Sequence, residues 1–157
     1  MTPPYVFDTN SVSVLKNYYP DQFPTFWQRF HAAIVAGRVV SCREVFNELK
    51  GLQKGWLVEW AENNKVMFRT PNDDETTFVG EIFKVPHFQT LVGEEQQLRG
   101  KPVADPFVVA AARVCFGCVV TEESLKPNAA KVPNVCQHFG INCTNVEGFL
   151  KHSGWTF

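Results

Sequence analysis

The stretch YVFDTNS, residues 5–11, indicates the fold and raises the first question about function. Its apolar part, residues 5–7, is aromatic and β-branched and lies between prolines and Asp-Thr-Asn, a pattern typical of a short strand. Asp8 follows this strand directly. Taken alone, Asp8 is either the polar end of a strand that caps the next helix or a carboxylate held over a site. The placement of other acids has to decide between these two readings.

Strand and helix patterns alternate along the rest of the chain. Strands are predicted in RVVS, KVMFR, CVVT and INCT, which are residues 38–41, 65–69, 118–121 and 141–144. Helices are predicted from Val12 up to Pro20, over residues 23–38, from Ser41, over 55–64, over 73–99 with a break at Pro86, over 105–116, and over 132–140 and 146–152. This alternation predicts an α/β fold with a parallel sheet covered on both faces. Without a repeat or long linker, residues 1–157 are expected to form one domain.

The composition is that of an ordinary globular protein. Of the 157 residues, 45% are apolar and 20% are charged, which excludes a disordered chain. The start MTPPYVFD lacks the basic and apolar regions of a signal peptide, so we expect a cytoplasmic location. No apolar run is long enough for a membrane span, so we expect no membrane partner. A net charge of −1 gives no general attraction for a polyanion, so contact with a nucleic acid would have to be local or supplied by bound metal ions.

The five cysteines predict neither a disulfide framework nor a zinc site. An odd number in a chain without an export signal favours free thiols. Cys115 and Cys118 have the CxxC spacing, but six residues separate Cys136 from Cys143, where a zinc ribbon needs about two. We therefore expect buried, inert cysteines.

Three acids are expected at the same edge of the sheet. Asp8 follows the first strand, and Glu123 lies two residues past CVVT. Asp105 with the next proline predicts the cap of the helix that leads into CVVT, and the start of such a helix lies near the carboxyl end of the strand that follows it. Ligands of parallel sheets bind at this edge. Glu48 is less firmly placed, because its helix moves away from the edge unless it crosses the top of the sheet.

Each acid also has an ordinary structural explanation. Asp8 and Asp105 are suitable helix caps, and Glu48 fits a solvated helix face. Ser41 and Glu44 have the spacing of a capping box, in which Glu44 reaches back to the cap's amide. Four acids at one edge would repel one another unless cations neutralised them, and oxygen-rich clusters suit Mg²⁺ or Mn²⁺.

In order and spacing, FDTNS, SCREVFNEL, ADPFVVAAA and VVTEES resemble the motifs of PIN-domain nucleases, a family that includes the VapC-type toxins of bacterial toxin–antitoxin pairs. The likeness extends over nearly the whole chain and implies a three-layer α/β/α sandwich on a short parallel sheet. It implies that Asp8, Glu48, Asp105 and Glu123 are the catalytic, metal-binding quartet, with supporting roles for Thr9, Asn10, Ser11, Thr121 and Glu44. The chain departs from the family where Glu123 replaces the usual Asp, with Glu122 as a competing neighbour, and where Pro follows Asp105.

The resemblance implies a metal-dependent endoribonuclease that is the toxin of a toxin–antitoxin pair. Such an enzyme would hydrolyse single-stranded RNA with water activated by one or two Mg²⁺ or Mn²⁺ ions. Arg43, Lys126 and Lys131 are candidate phosphate contacts. Aromatic residues around Trp56, Trp60 and the tail GWTF either cover the core or bind an antitoxin or a second copy of the chain.

Two alternative functions stay open. One is a catalytically silent PIN-like binding module. The other is a haloacid-dehalogenase-type phosphatase, whose loop needs an acid where this chain has Asn10.

Overall fold

The computed structural model describes residues 3–52, 55–91 and 103–157. Its centre is a five-stranded, all-parallel sheet with helices on both sides, a three-layer α/β/α arrangement that confirms the predicted fold class. In chain order the strands are β1 (Tyr5–Phe7), β2 (Val39–Cys42), β3 (Phe68–Arg69), β4 (Cys118–Val120) and β5 (Asn142–Thr144). The order across the sheet is β3-β2-β1-β4-β5. The first strand is therefore central, which places whatever follows it in the middle of the carboxyl edge.

The described helices agree with the sequence patterns, with shifts at their ends. They are α1 (Thr9–Val14), α2 (Pro24–Val35), α3 (Arg43–Leu52), α4 (Trp56–Asn63), α5 (Asp73–Phe83), α6 (Asp105–Cys115), α7 (Val132–Phe139) and α8 (Val146–Ser153). Short 3₁₀ turns occupy Leu15–Asn17, Lys65–Met67 and Pro86–Leu91, so the strand predicted over residues 65–69 is limited to Phe68–Arg69. The prediction of helix over 73–99 holds for α5 and for the break at Pro86, whereas residues 92–99 lie outside the described ranges. None of the described helices is long and apolar enough to cross a membrane.

Aromatic packing holds one helical layer against the sheet. Phe7 of β1 contacts Phe30 of α2 and Phe149 of α8, with ring centroids 5.5 and 5.1 Å apart. All three side chains are fully buried, and such edge-to-face pairs stabilise beyond the area that they bury. On α2, Trp27 contacts Trp56 and Trp60 of α4, so these tryptophans cover the core.

The other layer is built on α6. It packs against β1, β2 and β4, and α5 packs against α6 from outside. The helix is rich in alanine and valine, and Val108, Val109 and Ala110 are fully buried, because small side chains allow a helix to lie close to the sheet. This close contact directs the start of α6 to the carboxyl ends of β1 and β4.

Two predictions about helix starts are wrong. Ser41 lies within β2 and donates its hydroxyl to the carbonyl oxygen of Phe7 at 2.7 Å, so it does not form a capping box with Glu44. Asp105 is the first residue of α6, whose N-cap is Ala104. In both cases contacts with distant parts of the chain decide the local structure. All five cysteines are free, as predicted, but only Cys42 and Cys136 are buried; the expectation of burial is wrong for the other three, which are partly exposed.

Candidate functional site

The carboxyl edge of the sheet opens into a cavity of about 450 Å³ that four carboxylates line. These are Asp8, Glu48, Asp105 and Glu123, the acids that the sequence nominated. Asn10 and Thr9 share the wall with them. The cavity also includes residues that sequence reasoning missed: Ser13, Val14, Leu52, Leu91 and Val103. Mostly apolar, they carry no recognisable chemical signal in the sequence, and only the fold brings them to the acids.

Asp8 is fixed at the junction of β1, β4 and α1. It is the N-cap of α1, and its Oδ1 accepts a hydrogen bond from the Ser11 amide at 2.9 Å. The Ser11 hydroxyl is 2.8 Å from the carbonyl oxygen of Val120, the last residue of β4. Asp8 is only 1% exposed. The two readings of Asp8 therefore do not exclude each other, because the same carboxylate caps a helix and faces the cavity.

Glu48 lies at the cavity because α3 begins directly after β2. Five residues past Arg43, the first residue of α3, it is about 7.5 Å along the helix axis. Its Oε1 accepts a hydrogen bond from the Thr9 hydroxyl at 2.5 Å, and its Oε2 accepts one from the Ala104 amide at 2.9 Å. Ala104 is the N-cap of α6 and offers no side-chain cap of its own. Glu48 thus connects the starts of α1 and α6.

The neighbours Glu122 and Glu123 have different surroundings. Glu123 lines the cavity, and its Oε2 accepts a hydrogen bond from the Val132 amide, at the start of α7, at 2.9 Å. Glu122 is exposed, and its Oε1 accepts one from the Val146 amide at the start of α8 at 2.8 Å. Glu123 is accordingly the acid that the structure brings to the other three.

Asn10 and Thr121 hold the loop after β4 in place. The side-chain oxygen of Asn10 accepts hydrogen bonds from the Glu122 amide at 2.9 Å and from the Thr121 hydroxyl at 3.4 Å. The Thr121 hydroxyl oxygen in turn accepts one from the Glu123 amide at 3.2 Å. These contacts fix the main chain on either side of the fourth acid.

Burial and mutual repulsion make the site electrostatically unfavourable for carboxylates. Burial raises the pKa of Asp8 to about 6, although hydrogen bonds from Thr121 and Ser11 oppose the rise. Burial first, and then the charges of Glu123, Asp8 and Glu48, raise the pKa of Asp105 to about 7, while Lys131 acts in the opposite direction. All three other acids are therefore close enough to act on Asp105, which is the group that most needs a compensating positive charge.

Glu44 is not part of this site. Its Oε1 pairs with the Arg43 guanidinium at 2.7 Å, and its buried Oε2 has no hydrogen-bond partner among the described residues. The supporting role predicted for Glu44 is therefore not reflected in the lining of the cavity. Arg43, a candidate phosphate contact, is paired with the same carboxylate. Among the candidate cations, Lys131 is the one whose charge acts on Asp105.

The donor set of the cavity fits a hard divalent cation, although the acids are not in a finished coordination geometry. Across the described parts of the chain, no group of three or more His, Cys, Asp and Glu side chains is arranged to hold a metal ion as it stands. The available donors are all carboxylate, amide and hydroxyl oxygens, which Mg²⁺ and Mn²⁺ prefer. The raised pKa values of Asp8 and Asp105 show that negative charge here lacks compensation.

A family model matches residues 5–157, which is nearly the entire chain and includes all four acids. The chain belongs to the DUF4411 family. The family is described as a domain of unknown function, so membership of DUF4411 assigns no activity to the cavity. No curated protein matches the sequence.

Proposed function

We propose that this DUF4411 protein is a PIN-like, metal-dependent endoribonuclease. The observation that carries the proposal is the convergence of Asp8, Glu48, Asp105 and Glu123 on one cavity at the carboxyl edge of a parallel sheet. Buried carboxylates that repel one another are costly to the fold and are found where they hold a cation or take part in chemistry. The same four positions are those that the resemblance to PIN-domain nucleases nominates.

In this proposal Asp8 and Asp105 are the principal ligands of Mg²⁺ or Mn²⁺. Both side chains line the cavity, the charges of Asp8 and Glu123 act on Asp105, and no described residue donates a hydrogen bond to the Asp105 carboxylate. One or two such ions would activate water and stabilise the negative charge that develops on a phosphodiester. Glu48 and Glu123 contribute the remaining negative charge.

The surrounding polar groups position these acids. The Thr9 hydroxyl and the Ala104 amide orient Glu48, while the Ser11 amide fixes Oδ1 of Asp8. Asn10 and Thr121 hold the loop that carries Glu123. These hydrogen bonds keep each carboxylate in one orientation when substrate enters. The outer hydrogen bonds of a metal site have this role.

The proposed substrate is single-stranded RNA, as the resemblance implies, cleaved to a 5′-phosphate and a 3′-hydroxyl. An open cavity of about 450 Å³ can admit a flexible strand. With a net charge of −1, the chain would depend on the bound cation and on nearby groups such as Lys131 to attract a phosphate. A toxin role with an antitoxin partner, and a homodimer, belong to the same proposal and rest on the family likeness alone.

A catalytically silent module is the second candidate, and one observation favours it. Both oxygens of Glu48 and one oxygen of Glu123 already accept hydrogen bonds from protein groups. These acids can thus be explained as caps for the starts of α6 and α7, whose own N-cap residues provide no side-chain cap. Among the described residues Asp105 has no such structural partner, which is why we favour the nuclease.

The test compares wild type with Asp8→Asn and Asp105→Asn on a 5′-labelled single-stranded RNA, with Mg²⁺ or Mn²⁺ and with EDTA. We expect metal-dependent cleavage by wild type and a loss of at least about a hundredfold in each variant. Asp21→Asn, at an exposed position, is the matched control and should cleave like wild type. Equal cleavage by wild type and both site variants, from contaminant-free preparations, would refute the proposal.

A further inference from the structure

A second cleft, of about 420 Å³, has a lining unlike that of the acid cavity. Three carboxamide side chains, Asn128, Asn134 and Gln137, and two imidazoles, His87 and His138, line it. Among the described residues that line it, none carries a carboxylate, ammonium or guanidinium group. The cleft therefore offers neutral hydrogen-bond donors and acceptors beside flat rings.

Three separate segments connect this cleft to the acid cavity. The 3₁₀ turn Pro86–Leu91 has Leu91 in the acid cavity and His87 in the cleft, about 8 Å apart along the turn. The loop after β4 has Glu123 in the cavity and Asn128 in the cleft. Helix α7 begins at Val132, whose amide binds Glu123, and places Gln137 about 8 Å further on. The cleft and the cavity are consequently connected by three short segments of chain.

The polar groups of the cleft are held in place. The Asn134 side chain donates from Nδ2 to the carbonyl oxygen of Lys126 at 2.7 Å, and its Oδ1 is buried without a partner among the described residues. Asn128 has a φ of 61°, the left-handed conformation that is uncommon for residues other than glycine. The loop that carries Asn128 is thus fixed against α7, on which Gln137 lies.

The His138 ring is held on one side by aromatic contacts. Its centroid lies 5.2 Å from that of Phe88 and 4.7 Å from that of Phe139. His138 and His87 are nevertheless exposed, as is Gln137. A rigid, exposed imidazole next to an exposed carboxamide can stack on one flat group and hydrogen-bond its edge at the same time.

We propose that this cleft is a nucleobase subsite, which reads one base of a single-stranded RNA whose neighbouring phosphodiester lies at the acid cavity. This inference rests on the proposed function for its substrate class. Unstacked bases are recognised by stacking on flat side chains and by hydrogen bonds to their edges, for which carboxamides supply a donor and an acceptor together. The described lining residues are uncharged, which suits a neutral base, while the phosphates are left to the acid cavity and its cation.

The experiment measures binding without cleavage. Short homopolymers of A, C, G and U, labelled with a fluorophore, are titrated with full-length Asp8→Asn protein and with the same protein carrying Gln137→Ala or His138→Ala. Gln28→Ala, an exposed glutamine on α2, is the control. We expect one homopolymer to bind at least about fivefold more tightly than the others, because the carboxamides can hydrogen-bond the edge of one base and leave a polar group unpaired against the others.

Gln137→Ala and His138→Ala should each remove this preference, whereas Gln28→Ala should keep it. Unchanged affinity and preference in both cleft variants would overturn the subsite, as would a parent protein that binds no homopolymer or binds all of them equally. If wild type does not cleave RNA but the parent protein has a base preference that the cleft variants lack, the proposed nuclease is refuted and the subsite is supported. The two proposals can therefore fail separately.

Discussion

Replacing Asp8 by Asn should make the metal-free protein more stable at neutral pH. The carboxylate is buried, and its pKa is raised from 3.8 to about 6, so its ionised form costs the folded state about 3 kcal/mol at a pH above 6. The substitution keeps an oxygen that can accept the Ser11 amide hydrogen bond and removes the charge. We expect a gain of about 3 kcal/mol in the free energy of unfolding, or about 6–12 °C in Tm for a chain of this size.

The pH dependence gives the sign of the effect. A folded-state pKa above the unfolded value means that the folded protein holds the proton more tightly, so the stability linked to Asp8 is fully present below pH 3.8 and is lost as the pH rises through about 6. Wild type in EDTA should therefore lose stability relative to Asp8→Asn between pH about 4 and about 8, and the difference should vanish at the acidic end.

Urea unfolding of both proteins in EDTA at several pH values measures this difference, with Asp21→Asn as an exposed control. Saturating Mg²⁺ should reverse the order at neutral pH, because only wild type gains free energy from binding the ion. A variant that is less stable than wild type by the same margin at every pH would show that Asp8 is a structural cap without an electrostatic cost, and would refute this reasoning.

Three further results are expected. Glu123→Gln can still accept the Val132 amide hydrogen bond, whereas Glu123→Ala leaves that amide unpaired. The alanine variant should therefore be about 1–3 kcal/mol less stable than the glutamine variant in urea unfolding. Equal stability of the two variants would contradict a stabilising role for this hydrogen bond. Gly117→Ala would place a Cβ 2.5 Å from the Pro4 carbonyl oxygen, which accepts a hydrogen bond from the Cys118 amide at 2.9 Å. We expect the free energy of unfolding to fall by about 1–3 kcal/mol, measured by thermal unfolding. An unchanged Tm would contradict this prediction. Burial raises the pKa of Cys42 to about 12, so iodoacetamide should not modify this thiol in the folded protein at pH about 8. Mass spectrometry should show modification of Cys42 only after unfolding in urea. Rapid labelling of Cys42 in the folded protein would contradict this prediction.

The sequence predicted the sheet and most of the helices because their signals are local. Tyr5–Phe7 and Cys118–Val120 are short apolar runs between turn residues. The wrong predictions concern helix starts, where a distant partner competes with the local pattern. Ser41 continues β2 because its hydroxyl reaches Phe7 and its backbone pairs with β3. The Ala104 amide is capped by Glu48 from 56 positions away, which no local motif records.

Three of the four acids of the site could be named in advance for a topological reason, and the fourth, Glu48, by the resemblance to PIN-domain nucleases. Residues that follow parallel strands, and those that begin the helices leading into them, must meet at one edge of the sheet, which placed Asp8, Asp105 and Glu123. Glu48 could not be placed from the sequence, since its position depends on where α3 begins. The amide-lined cleft was not foreseen, because its residues come from three segments and are individually ordinary.

Isothermal titration of the metal-free protein with Mn²⁺ tests most directly whether the four carboxylates form a cation site. Wild type should bind one or two ions with release of protons near neutral pH, because Asp105 has a pKa of about 7, and Asp8→Asn and Asp105→Asn should lose that binding while Asp21→Asn keeps it. Mn²⁺ binding that is absent from wild type, or that is the same in wild type and both site variants, would contradict the account.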